Sequence, residues 1–195
     1  MPSAANPDLL VVDWTKLPAP TDDGAARHLE GTPVPDLALA ATDGRPVSLA
    51  RLAGRHVVFA YPRTGQPGVP ALLDEWDQIP GARGCTPQAC AFRDVHAELR
   101  RAGVDHVFGL STQDTAYQRE AVERLHLPFP ILSDEQLALT GALQLPSFEV
   151  AGERLLKRLT LIVDNGTISK VFYPVFPPDQ NARDVLAWLL QHVRP

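Results

Sequence analysis

The 195-residue chain is expected to fold as an α/β protein with a central mixed β-sheet flanked by helices and an N-terminal β-hairpin, and three observations predict it. Apolar runs of strand length alternate with segments of helical periodicity. The run His56–Tyr61 is apolar almost throughout, as a strand buried on both faces is, and Val104–Leu110 reads as a second central strand. A closing hairpin, Arg158–Val163 and Thr167–Tyr173 about Asp164-Asn165-Gly166, adds antiparallel pairing to a parallel centre.

Residues 1–30, rich in Pro, Ala and Asp, read as an extension that wraps or hangs off one domain spanning 31–195. They lack a basic leader region, and the run Leu9–Val12 is too short for a signal peptide. Asp36–Leu39, the turn Thr42–Pro46 and Val47–Leu49 form the expected first hairpin, with a short helix starting near Leu49. Strand His56–Tyr61 stops at Pro62. Arg63–Gly84, with Pro67, Pro70, Pro80 and an acidic cluster around Trp76, is a long loop of the kind that is either functional or poorly ordered. A helix then runs from Cys85 to the stop signal Gly103, with Ala89, Phe92, Val95 or His96, and Leu99 on one face. Strand Val104–Leu110, helix Thr115–Leu125, strand Pro130–Ser133 and helix Glu135–Ala142 follow, and Ala182–His192 closes the chain as an amphipathic helix.

Composition narrows the functional classes. A net charge of −5 and no basic stripe argue against nucleic acid. No segment has the length of a membrane span, so no membrane partner is expected and a cytoplasmic protein is the default. In that compartment a two-cysteine motif is more often catalytic than structural. The six histidines (His28, His56, His96, His106, His126, His192) show no ligand spacing, so no metal is expected.

Cys85 and Cys90 are the only cysteines. Pro87 suits the first turn of a helix, which places Cys85 at the positive end of the helix dipole, where the thiolate is favoured over the thiol. Five residues advance a helix by about 7.5 Å, beyond the usual limit of about 6.8 Å between bridged Cα atoms. A Cys85–Cys90 disulfide therefore requires the first turns to unwind. Taken alone, Cys90 reads equally well as a small buried hydrophobe.

The chain resembles the peroxiredoxins, specifically the bacterioferritin-comigratory or Q-type branch, over Gly31–His192. The matching pieces are Gly31–Leu39 with Thr42-Asp43-Gly44, Tyr61-Pro62, Gly84-Cys85-Thr86 through Phe92-Arg93-Asp94, Gly109–Thr112, Ile131–Asp134, Arg158–Asp164 and Asp184–Leu189, in that order. The resemblance implies a thioredoxin-like fold, reduction of hydroperoxides without a cofactor, and a monomer. Cys85 matches the peroxidatic cysteine, whose thiolate becomes a sulfenic acid. Cys90 matches the resolving cysteine, which forms an intramolecular disulfide that thioredoxin or a similar dithiol reduces. Arg158 would hold thiolate and peroxide by charge-assisted hydrogen bonds, Gln88 would orient that arginine, and Pro62 would shield the thiolate.

One departure stands out. The family pattern runs Pro, three residues, Thr, two residues, Cys, but Gln66 and Val69 occupy those places and about sixteen residues follow before Cys85. Thr64 is the first candidate for the missing hydroxyl and Thr86 the second, the latter also able simply to cap the helix. The insertion at about 69–83 could place Leu72, Leu73 and Trp76 over the pocket as an apolar lid favouring bulky organic hydroperoxides, or Trp76 could pack on the domain surface or a dimer contact. Two rival functions remain: a thiol-disulfide oxidoreductase, whose cysteines normally stand two residues apart rather than four, and a redox sensor or interaction protein using the same disulfide switch.

Overall fold

A computed structural model describes residues 11–193, so Leu9 and Leu10 of the N-terminal apolar run lie outside the described residues. Its strands are β1 (Ala40–Ala41), β2 (Arg55–Ala60), β3 (His106–Ser111), β4 (Ile131–Ser133), β5 (Ser147–Val150), β6 (Glu153–Leu156), β7 (Leu159–Asp164) and β8 (Thr167–Phe172). The helices are α1 (Cys85–Asp94), α2 (His96–Arg101), α3 (Thr115–Arg124), α4 (Ala138–Leu143) and α5 (Asn181–Gln191).

Six strands form one mixed sheet in the order β1-β4-β3-β2-β7-β8. The parallel pairs β2/β3 and β3/β4 lie at its centre, and antiparallel pairs flank them. β2 is buried at every position, as its apolar run requires. Alternation along that strand divides the core in two. Val57 and Phe59 face Phe92, Leu99, Ala121 and Val185, so α1, α2, α3 and α5 cover one side of the sheet. Val58 and Ala60 face α4 and the N-terminal residues Ala26 and Leu29 on the other. Phe92 of α1 stacks on Phe59 of β2 with ring centroids 4.4 Å apart, and this contact seats the cysteine helix on the sheet.

Four elements differ from the sequence expectation. The first hairpin narrows to a single bridge, Leu39 to Val47, because β1 pairs with β4 instead. The long cysteine helix breaks at Val95 (ψ 9°), yet Val95 N–H still reaches Ala91 O and Leu99 N–H still reaches Val95 O, so the apolar stripe keeps its phase across the kink. α4 starts at Ala138 rather than Glu135, because the Asp134 carboxylate accepts from the N–H groups of Leu139 and Thr140 and sets the helix start there. β5 and β6 form a separate two-stranded hairpin where the sequence pattern assigned no element.

That hairpin matters for the long loop before Cys85. Trp76, in a short 3₁₀ turn (Trp76–Gln78), and Ala82 bury themselves against Val150 and Leu155, with Leu72, Leu73, Ile79 and Phe148 packed around them. Arg63, at the loop's start, donates to Glu153 of β6 at 2.9 Å. The insertion is thus folded onto β5–β6 by an apolar cluster of its own.

Candidate active site

Cys85 is the first residue of α1, and the glycine before it is required there. Gly84 has φ 107°, a left-handed conformation. A Cβ on it would lie 2.7 Å from the Trp14 ring and 2.8 Å from Pro178 Cγ. Trp14 comes from the N-terminal extension, and its indole N–H donates to Asp179 Oδ2 at 2.9 Å. The extension therefore wraps across the start of the cysteine helix and the 3₁₀ turn Pro178–Gln180 that precedes α5. The first turn closes through Gln88 N–H to Gly84 O at 3.0 Å, with Pro87 where no N–H is needed.

Arg158, immediately before β7, is 3 % exposed and reaches the sulfur: its Nη2 lies 3.2 Å from Cys85 Sγ. The same nitrogen faces the carbonyls of Gly81, Ala82 and Arg83 at 3.2, 3.1 and 3.3 Å, so the loop before the cysteine wraps around the guanidinium. Nη1 donates to Gln88 Oε1. Gln88, fully buried, passes the network on: its Nε2 donates to Asn181 Oδ1 at 2.9 Å, and Thr160 Oγ donates to that same oxygen at 2.7 Å. Asn181 and Thr160 are the residues the sequence did not reveal. Thr160 lies in the matching piece Arg158–Asp164 without a role assigned to it, Asn181 lies in none, and they join the site because α5 and β7 converge behind α1.

The two candidate hydroxyls both line the cavity of about 260 Å³ that opens on Cys85. Thr64 is 1 % exposed, and its hydroxyl oxygen has no hydrogen-bond partner among the described residues. Its carbonyl is held by Tyr117 Oη–H at 2.6 Å, and the Arg63 guanidinium lies 4.4 Å above the Tyr117 ring, so the segment is fixed while the hydroxyl is left over. Thr86 is also buried, in the first turn of α1. Leu72 and Trp76 of the insertion form an apolar part of the cavity wall, whereas Leu73 packs in the cluster on β5–β6. Trp76 thus lines the cavity and packs on the hairpin at once. Pro62 is buried, receives Gln113 Nε2 on its carbonyl at 3.0 Å, and borders a second cavity together with Arg158.

Cys90 faces elsewhere. It is 7 % exposed and lines a third cavity among α1, the Pro178–Gln180 turn and the start of α5. Burial pushes its thiol up from the ordinary value, so it is held protonated in the helix. Both cysteines are free thiols. Among the described residues, no group of three or more His, Cys, Asp or Glu side chains gathers to hold a metal ion.

Chemically, the arrangement is a buried sulfur at a helix start, contacted by an arginine, beside an unpartnered hydroxyl and an accessible cavity. Comparison with known proteins points the same way. The model of the Redoxin family matches residues 29–186. A chloroplastic peroxiredoxin Q of Sedum lineare is 32% identical over 171 residues, which cover 87% of this chain and 81% of that protein. The rice (Oryza sativa subsp. japonica) peroxiredoxin Q is 33% identical over 159 residues, 80% of this chain but only 64% of its own length. Among solved structures, peroxidoxin BcpB of Mycobacterium tuberculosis superposes with a TM-score of 0.66 at 27% identity, covering 86% of this chain and 100% of that one. A peroxiredoxin Q of Xanthomonas campestris, at 23% identity and a TM-score of 0.66, covers 86% of this chain and 98% of its own and shares the fold.

Proposed function

Because the chain belongs to the Redoxin family, in its peroxiredoxin Q branch, we propose that it is a thiol peroxidase reducing hydrogen peroxide and organic hydroperoxides. The observation that carries this reading is the Arg158 Nη2 contact to Cys85 Sγ beside a cavity open to substrate. The Cys85 thiolate attacks one peroxide oxygen, the O–O bond breaks, and the alcohol or water leaves with a proton, giving Cys85 sulfenic acid. Arg158 donates to the oxygens that gain charge, and the Thr64 hydroxyl supplies a second donor. The Leu72 and Trp76 wall accommodates the carbon chain of an organic hydroperoxide.

Cys90 then displaces water from the sulfenic acid, forming the Cys85–Cys90 disulfide once α1 unwinds. Thioredoxin or a similar dithiol returns two electrons and two protons and restores both thiols. The working unit is a monomer without a cofactor, in a compartment that keeps such a dithiol reduced, the cytoplasm being the simplest. The test is to treat fully reduced protein with one equivalent of hydrogen peroxide, quench within seconds and weigh the intact chain without reductant. A loss of about two mass units, as one internal disulfide requires, supports the reading. An unchanged mass overturns it.

A further inference from the structure

The hydrogen bonds behind Cys85 have a fixed direction. A guanidinium only donates, so Gln88 must present Oε1 to Arg158 Nη1. That choice turns Gln88 Nε2 away from the arginine and toward Asn181, which must then present Oδ1. The Thr160 hydroxyl donates into the same Oδ1 and holds the Asn181 amide in that orientation. Every member is buried: Gln88 and Thr160 fully, Asn181 to 2 % exposure. A broken link would strand a polar group away from water, so the network either holds as a whole or costs stability.

The network also ties moving to fixed parts. Gln88 sits between the two cysteines on α1, the stretch that must unwind for Cys85 to meet Cys90. Asn181 opens α5 and Thr160 lies in β7, both anchored in the folded core. Unwinding past Gln88 necessarily removes its side chain from Arg158 and Asn181 together.

We propose that Asn181 is a positioning residue for the peroxide step: by fixing the Gln88 amide it holds the Arg158 guanidinium on Cys85, and it releases both when α1 unwinds. This rests on the peroxidase reading above. Asn181 touches neither sulfur nor substrate in this scheme and acts only through Gln88. Loss of its acceptor lets the Gln88 amide turn, and Arg158 loses its Nη1 partner, so the guanidinium is anchored through Nη2 alone and can pivot away from the sulfur.

The test is a double-mutant cycle of Asn181→Leu and Gln88→Leu in the full-length chain, in a Cys90→Ser background, read as the rate of Cys85 oxidation by hydrogen peroxide. Asn181→Leu is expected to slow oxidation about tenfold to a hundredfold, the scale on which small misplacements act. Added to Gln88→Leu it should cost nothing further, because the two act as one unit. Asn181→Asp, which keeps an acceptor facing Gln88, should retain most of the rate. Effects that multiply, or an Asn181→Asp variant as slow as Asn181→Leu, overturn the proposal. Should Asn181→Leu fail to fold by circular dichroism, Thr160→Val takes its place in the cycle: a smaller loss that vanishes with Gln88→Leu supports the proposal, and one that persists overturns it. If the wild-type chain ignores hydrogen peroxide, the peroxidase reading fails, and the same cycle is read on alkylation of Cys85 by iodoacetamide, with non-additive effects supporting the positioning role and additive ones overturning it.

Discussion

Arg158 Nη2 and Cys85 Sγ share the carbonyl of Ala82: the nitrogen donates to it at 3.1 Å and the thiol at 3.6 Å, while nitrogen and sulfur stand 3.2 Å apart. When the sulfur loses its proton it becomes an acceptor only, and the arginine is the donor already in place. The guanidinium is thus placed to serve the thiol and the thiolate alike.

Replacing that arginine by lysine keeps the charge and loses the fork. One ammonium cannot serve Gln88 Oε1, the sulfur and the carbonyls of Gly81 to Arg83 at once. Arg158→Lys is expected to slow oxidation of Cys85 by about a hundredfold or more, the cost of losing a fixed donor at a site of developing charge. Stopped-flow measurement of Cys85 oxidation checks it, and a loss of only a few-fold would sink the assigned role.

Thr64 should show opposite effects on stability and rate. Its hydroxyl is buried without a partner among the described residues, so Thr64→Val removes an uncompensated polar group and should raise folding stability by about 1 kcal/mol. The same change removes the second donor and should slow peroxide reduction by about a hundredfold. Thr86→Val should leave the rate near wild type. Denaturant melts paired with peroxide kinetics decide between the two threonines, since a normal rate in Thr64→Val would move the role to Thr86.

Cys90 makes disulfide closure depend on pH. In the helix its pKa lies above the ordinary thiol value of 9.0, because burial penalises the thiolate. Below 9.0 both helical and unwound forms keep the proton, and closure rises with pH only through the small thiolate fraction of the unwound form. Above it the unwound form binds fewer protons than the helical one, so rising pH also drives unwinding. Closure after a peroxide pulse should therefore keep accelerating by about tenfold per pH unit past the ordinary value, until the raised one is reached. Levelling near 9.0 would show that burial of Cys90 does not control the step.

Trp14 stands in the way of the same unwinding. Its indole packs on Gly84, meets Phe176 edge-on at 6.1 Å between centroids, and bonds Asp179. Trp14→Ala should speed disulfide closure by about five- to thirtyfold, the factor that one or two kcal/mol represents. A shorter-lived sulfenic acid should also yield less sulfinic acid under excess peroxide, measurable as a smaller gain of intact mass. Equal closure rates in the two proteins would show that the strap does not restrain the helix.

Local chemistry made Cys85 and the helix that carries it legible, because Pro87, the stop signal Gly103 and the apolar stripe lie within one stretch of chain. Gln88 and Arg158 were reached only through the family resemblance, by their places in the matching pieces around Cys85 and over Arg158–Asp164. Asn181 was not, since an asparagine at a helix start reads as a cap and its partner Gln88 lies 93 residues away. The β5–β6 hairpin escaped because its turn is Ala151-Gly152, with φ 49° and 79°, where Asn-Gly or Asp-Gly is the usual signal. The kink at Val95 left no trace because hydrophobic spacing records which face is buried, not whether the axis bends. Two threonines of equal chemistry lie on one cavity, and their spacing in the chain does not tell which hydroxyl serves the sulfur.

The seating of Trp76 and Ala82 against Val150 and Leu155 makes two distant pieces of the chain a single module. Each half loses apolar cover without the other: a deletion of residues 69–83 would bare Val150 and Leu155, and a deletion of the hairpin would bare Trp76. A protein engineer wishing to graft this cavity wall onto another scaffold would have to carry both segments, with the Arg63–Glu153 pair as the clasp between them. Gain or loss of the wall during divergence would likewise demand paired changes in two segments far apart in the chain.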